Sequence, residues 1–338
     1  MISDRKRQHL EICLKEKVED KSCFDDIILV YNAMPNLDFN EIDTSVEFLG
    51  KKLSLPLLIS SMTGGTKEAE QINKDLAEIA EQKKIGFALG SQRAMIENKE
   101  LTCTYSVRNV APSTLVLGNI GLANLNKIEP KEIEKALSSI GADALFLHIN
   151  PAHELAQKEG DINLKNSNEN LKKLIENLNY PVVIKEVGYG ISKETGKKLK
   201  DLGIKTIDVA GFGGTNWVKV EKLRGGKLAD DFVDFGIRTP CSLLELKDIG
   251  VELISSGGIR SGLDIAKSIA LGAKICAIAL PFLKVYDEKG KEGVEKYIYQ
   301  LEKELKTAMF LVGAKNIEEL RNKRYILKGF TKNWAEQL

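Results

Sequence analysis

The sequence predicts an α/β fold, a TIM (β/α)8 barrel forming a single domain with N- and C-terminal extensions. Three observations lead to it. Short apolar runs rich in Val, Ile, Leu and Ala alternate from residue 55 onward with longer amphipathic stretches, the rhythm of βα units around a parallel sheet. The runs number eight, without a long structureless linker between them. Nearly every unusual polar or glycine cluster falls just after a run, where barrel enzymes assemble their sites.

In chain order the predicted strands are LPLLIS (55–60), FALG (87–90), TLVLGN (114–119), ALFLHI (144–149), VVIKEV (182–187), TIDVAG (206–211), ELISSG (252–257) and ICAIAL (275–280). An open doubly wound sheet would show fewer strands and a visible second domain. Helices are predicted between them. In 67–82, 192–203 and 261–272 apolar positions recur at three and four residues, and the closing glycines of the last two fit helix C-caps. The stretch 216–236, after the sixth strand, is longer and more charged than its counterparts and is expected to be an insertion or mobile loop. Residues 55–314 make the barrel, 1–54 an N-terminal extension and 315–338 a C-terminal tail, both expected across a barrel end or at a subunit contact.

Composition excludes several classes. With 338 residues, 43% hydrophobic and 29% charged, the chain can bury a large core, which rules out disorder and fibrous folds. The 49 basic and 48 acidic residues leave a formal charge of +1, so no bulk field draws nucleic acid or an anionic membrane. Any anion must be gripped locally. Cys13, Cys23, Cys103, Cys241 and Cys276 lie far apart without CxxC pairing, which fits neither a disulfide framework nor a zinc site and suggests a reducing cytoplasm. The charged N-terminus has no apolar signal core, and no later run approaches a membrane span.

The clusters that follow the strands are MTGG (62–65), GSQR (90–93), GNIG (118–121), HINPAHE (148–154), Lys185, GFGGT (211–215), SGGIR (256–260) and ALP (279–281). One such cluster alone is explained by a turn that needs glycine; eight together are not. In GFGGT and SGGIRSG the missing side chains let backbone N–H groups approach a phosphate, and the next helix start adds a favourable dipole. Thr215 could join this cradle with its hydroxyl. Lys185 ends an apolar run and would point into the barrel mouth, so it needs an anionic partner. A flavin ring would supply one; a Schiff-base lysine is the alternative.

Of the three histidines, His148 and His153 sit in the loop after the fourth strand with Asn150 and Glu154, which puts an acceptor, a proton-transfer group and a carboxylate together. A lone carboxylate there suits Mg2+ shared with substrate phosphates better than a closed zinc site, and Glu154 is assigned to it. Arg93 could grip a phosphate with its two-pronged guanidinium. Arg5 and Lys6 could equally be ordinary surface charges.

The set RKxxH (5–9), MTGG, GSQR, HxNPxxE, KEVGxGIS, GGT, SGGIRSGLDIAK and ALP resembles, in the same order and over essentially the whole chain, the type 2 isopentenyl-diphosphate isomerases. The resemblance implies an FMN-dependent barrel that interconverts isopentenyl and dimethylallyl diphosphate with Mg2+ and flavin reduced by NADPH, assembled as a homotetramer or homo-octamer. Carried over by position, it implies flavin contacts at Met62, Thr63, Gly64, Gly65, Ser91, Asn119, Lys185, Ala210, Thr215, Gly257, Gly258, Arg260, Ala279 and Leu280. It implies a diphosphate site at Arg5, Lys6, Ser91, Gln92, Arg93, His148, Asn150 and His153, with His153 and His148 as the catalytic pair and Mg2+ at Glu154. Two departures stand out: Ala210 where relatives often carry serine, and His153 where they typically carry glutamine. One alternative is a flavin oxidoreductase resembling the 2-hydroxy-acid oxidases, but it needs a histidine–arginine pair late in the barrel, and no histidine follows His153; the other is a diverged relative acting on another allylic diphosphate.

Overall fold

A computed structural model, describing residues 2–338, closes the eight predicted strands into one parallel barrel. The strands are Leu57–Ile59, Gly86–Ala88, Val116–Gly121, Ala144–His148, Val182–Lys185, Thr206–Asp208, Glu252–Ser256 and Ile275–Ile278, and the last pairs with the first through Cys276 and Leu57. They read as unbroken apolar runs because both faces are covered. Leu58, Leu117, Phe146, Val183, Ile254 and Ile275 fill the barrel's interior, while Leu57, Ile59, Val116, Leu145 and Ile184 face the helices outside. Each strand falls within three residues of its predicted run at either end.

The N-terminal extension serves both ends of the barrel. Strands Val46–Phe48 and Lys51–Leu53 form an antiparallel hairpin whose Phe48 and Leu53 join the interior cluster, plugging the barrel from below. The helix Ile2–Lys15 brings Arg5, Lys6 and His9 to the cleft at the opposite end. The C-terminal tail is tied to this extension. Tyr325–Leu327 pairs antiparallel with Ile27–Leu29, and Asp26 Oδ2 accepts from the backbone N–H of Thr331 at 2.9 Å in the first turn of the helix Gly329–Ala335. Asp26→Ala should cost about 1 kcal/mol, the usual loss of a helix cap, read as a lower denaturation midpoint with an unchanged slope.

The stretch 216–236 is an inserted segment ahead of the helix Thr239–Leu246, and part of it is helical rather than loop. It contains a helix, Trp217–Leu223, capped by Asn216 Oδ1 accepting from the N–H of Lys219 at 3.2 Å and carrying buried Val218, Val220 and Glu221. Not all of its charges are solvated: Glu221 is turned inward, where the Arg224 guanidinium and the His9 and His153 imidazoles surround it. Among the described residues no helix is long and apolar enough to cross a membrane.

Candidate active site

At the C-terminal ends of the strands lies a cleft walled by the strand-end loops and roofed by the N-terminal helix. It collects nearly all the predicted site residues: Arg5, Lys6, Met62, Thr63, Ser91, Arg93, Asn119, His148, Asn150, His153, Glu154, Lys185, Ala210, Thr215, Gly257, Gly258, Arg260, Ala279 and Leu280. Three lie elsewhere. Gln92 is buried behind the cleft, its Oε1 accepting from the N–H of Asn119 at 3.0 Å, so it braces a strand end. Gly64 sits under the Tyr105 ring, where an added Cβ would come within 2.2 Å, and Gly65 needs its positive φ of +82°. Both glycines answer to packing.

The glycine loops pack on each other and on the N-terminal extension. A Cβ at Gly214 would lie 2.9 Å from the Gly258 nitrogen, and one at Gly257 would lie 2.1 Å from the Gly211 oxygen. Close backbone packing and an anion cradle make the same demand, since each leaves N–H groups without side chains in front of them. Two hydroxyls at the cleft, Ser60 Oγ and Thr63 Oγ1, are buried with no hydrogen-bond partner among the described residues. Such orphans suit a polar ligand. Ala210, also on the cleft, holds a φ of +34°, a strained conformation of the kind concentrated at binding sites.

Lys185 corrects the argument made for it. Its ammonium does not await a ligand's charge: Asp208 Oδ2 accepts from it at 2.8 Å, and Asp208 is in turn held by the Ser256 hydroxyl at 2.5 Å. The aspartate was visible in TIDVAG as a carboxylate inside an apolar strand, and such a group must be paired. Lys6 is likewise occupied, donating to Gly64 O (2.6 Å) and the Tyr105 hydroxyl (2.8 Å). Burial, with Arg5 beside it, lowers its pKa to about 7. Arg93 pairs with Glu97 at 2.7 Å but stays at the mouth, and Arg260 is paired with Glu19.

The loop after the fourth strand is set by hydrogen bonds. His148 Nδ1 meets Asn119 Oδ1 at 2.8 Å, and burial lowers its pKa to about 3. Burial thus favours the neutral ring, with Nδ1–H donating to Asn119 and Nε2 left as an acceptor. The Asn150 amide donates to Glu154 Oε1 (2.9 Å) and approaches His153 Nδ1 (3.1 Å). The carboxylate requires the amide's nitrogen on that side, which makes His153 Nδ1 an acceptor and places the ring proton on Nε2. Glu154 Oε2 accepts from the Asp161 N–H at 2.7 Å.

Sequence reasoning missed the neighbours of His153. Glu221 Oε1 accepts from His153 Nε2 (3.1 Å) and His9 Nε2 (2.6 Å), and Glu221 Oε2 accepts from Arg224 (2.5 Å). Trp217 lies 5.1 Å from both imidazole rings. Burial works against ionising Glu221, but the hydrogen bonds from His153 and His9 outweigh it and hold the carboxyl below the usual range. Burial lowers the His9 pKa, with Glu221 opposing. The available signal was the spacing of Trp217 and Glu221, four apart on one helix face.

The FMN-dependent dehydrogenase family profile matches residues 121–327. Isopentenyl-diphosphate delta-isomerase of Methanocaldococcus jannaschii is 44% identical, covering 99% of this chain and 97% of its own. The protein of that name from Pyrococcus furiosus is 43% identical over 98% and 89%. Among solved structures, a mandelate oxidase variant aligns with a TM-score of 0.69 at 17% identity, covering 96% of this chain and 98% of its own. A flavocytochrome b2 variant with benzoylformate aligns at 0.68 and 23%, covering 94% and 78%. These two show the fold alone. Full-length identity with the isomerases is another matter, and by it the chain belongs to the isopentenyl-diphosphate delta-isomerase family, built on the FMN-dependent dehydrogenase domain.

Proposed function

We propose that this chain interconverts isopentenyl and dimethylallyl diphosphate, using FMN and Mg2+. The observation that carries the reading is identity above 40% with isomerases of that name over essentially the whole chain. Gly257, Gly258, Thr215 and Arg260 would hold the FMN phosphate, Ser60 and Thr63 would offer their unpartnered hydroxyls, and Lys185 would face the ring. FMN, once bound, supplies a ring that gives and takes protons and carries negative charge when reduced. The same reading includes NADPH as the flavin reductant, assembly as a homotetramer or homo-octamer and a cytoplasmic location.

Moving a double bond by protonation and deprotonation passes through a species with tertiary-cation character, which needs nearby negative charge and excluded water. Arg5 and Arg93 at the mouth would grip the diphosphate, with neutral His148 and the Asn150 amide beside it and Mg2+ at Glu154. Trp217 would shield the hydrocarbon end. His153, with its proton on Nε2 and tied to Glu221, is oriented as a glutamine amide would be and places a carboxylate directly behind it.

Glu154→Gln should weaken Mg2+-dependent substrate binding while leaving FMN affinity nearly unchanged. Titrating the variant with each ligand separately checks this. Equal loss of both would mean that the bonds from Asp161 and Asn150 are the whole role of the carboxylate.

A further inference from the structure

His9, His153 and Glu221 form a cluster of which the reading above gives only His153 a role toward substrate, and which it assigns to no metal. Their ligand atoms, two imidazole nitrogens and a carboxylate oxygen, all lie within 4.8 Å of one another. The cluster is shielded: the side chains of His9 and His153 are each 14% exposed and that of Glu221 is 1% exposed. The three residues come from three separate elements, the N-terminal helix, the short helix Pro151–Ala156 after the fourth strand and the helix Trp217–Leu223.

We propose that this cluster is a binding site for a divalent transition metal of the zinc class, separate from the Mg2+ position at Glu154. Two imidazoles and one carboxylate are a ligand set that zinc accepts, with a fourth position left to water or substrate. Ligands about 2.0–2.2 Å from a tetrahedral ion stand roughly 3.4 Å apart. Contacts of 2.6 and 3.1 Å from the two Nε2 atoms to Glu221 Oε1 therefore need to open by less than an ångström. His9 and His153 both line the cleft, so the fourth position faces it. Imidazole nitrogens favour zinc, cobalt or nickel over magnesium, which prefers an all-oxygen shell.

The outer shell is partly built. Arg224 occupies Glu221 Oε2 at 2.5 Å and leaves Oε1 for the ion. Binding shifts each imidazole proton from Nε2 to Nδ1. The Asn150 amide must then turn its oxygen toward His153 and give up its 2.9 Å bond to Glu154, so occupancy of this site disturbs the neighbouring carboxylate. The ion would also cross-link three elements and raise thermal stability by mass action.

The test is calorimetry and thermal unfolding of the metal-stripped, full-length protein with Zn2+ alone, alongside His9→Gln, His153→Gln and Cys103→Ser. Cys103 is the exposed thiol that could bind zinc adventitiously. Loss of an outer-shell partner already costs about 10–100-fold in metal affinity, so each histidine variant should bind at least that much more weakly and lose the zinc-induced rise in melting temperature. Cys103→Ser should bind as the parent does, and millimolar Mg2+ should not compete. Anomalous scattering at the zinc edge should place one ion on His9 Nε2, His153 Nε2 and the Glu221 carboxylate, a readout that survives if a variant folds poorly. Unchanged affinity in either histidine variant, an ion at Cys103 or Glu154, or displacement by Mg2+ would overturn the proposal.

Discussion

Gly258→Ala is expected to yield protein that no longer retains FMN and melts well below the parent. Gly258 has a φ of +83°, and an added Cβ would sit 2.3 Å from the Cβ of Ser22 and 2.6 Å from the oxygen of Gly213. Left-handed backbone alone costs an alanine about 1–2 kcal/mol. The clash adds to this, because both neighbours are fixed: Gly213 is itself packed on Ser22, and the Asp20 N–H donates to Gly214 O at 3.3 Å. A total of roughly 3 kcal/mol or more is in the range reserved for core disruption. Gly50→Ala is the control, since its φ is +75° but nothing lies within 4 Å of its Cβ; it should show the conformational cost alone and keep the flavin. Flavin absorbance after gel filtration and a melting curve decide the matter. A Gly258→Ala protein with parental flavin content would show that these loops are not the phosphate cradle.

Glu221→Ala is expected to have the largest effect outside the glycine loops. The change strips Arg224, His9 and His153 of a shared acceptor at 2.5–3.1 Å and leaves a half-buried guanidinium short of its counter-charge. Removing one partner of a buried pair costs about 3–5 kcal/mol. Glu159 remains as a second partner for Arg224 at 3.0 Å, which places the expectation at the lower end. The N-terminal helix carries His9 together with Arg5 and Lys6, so loosening it should abolish turnover even in the folded fraction. Glu221→Gln keeps the shape and should lose less stability. If melting and turnover of Glu221→Ala both match the parent, the network is not what holds the roof of the cleft.

The barrel was legible because parallel strands buried on both faces leave short apolar runs, and the eight runs carried the topology with them. The mouth was legible for a related reason. Residues at the C-terminal ends of strands share one rim, so Asn119, His148, Lys185 and Gly257 could be grouped before their distances were known. What stayed hidden depends on contacts between segments remote in sequence. Ile27–Leu29 pairs with Tyr325–Leu327 across nearly the whole chain, and three-residue strands have too little pattern to announce it. His9 and Glu221, 212 residues apart, meet only because a helix and an inserted segment fold over the same mouth. Asp208 was readable and went unread: a carboxylate in a buried strand calls for a cation, and Lys185 on the adjacent strand was the one available. Gln92, Gly64 and Gly65 also serve the packing beneath the cleft, a role that their place beside the strand ends did not announce.

The central claim is that the cleft isomerises an allylic diphosphate without net oxidation or reduction. Incubation of the purified protein with FMN, Mg2+, a reductant and isopentenyl diphosphate, followed by NMR and mass analysis, tests it most directly. The account predicts dimethylallyl diphosphate of unchanged mass, formed catalytically, with the flavin in the same redox state at the end as at the start. Recovery of only the starting diphosphate, or turnover of a 2-hydroxy acid with stoichiometric flavin reduction in its place, would contradict it.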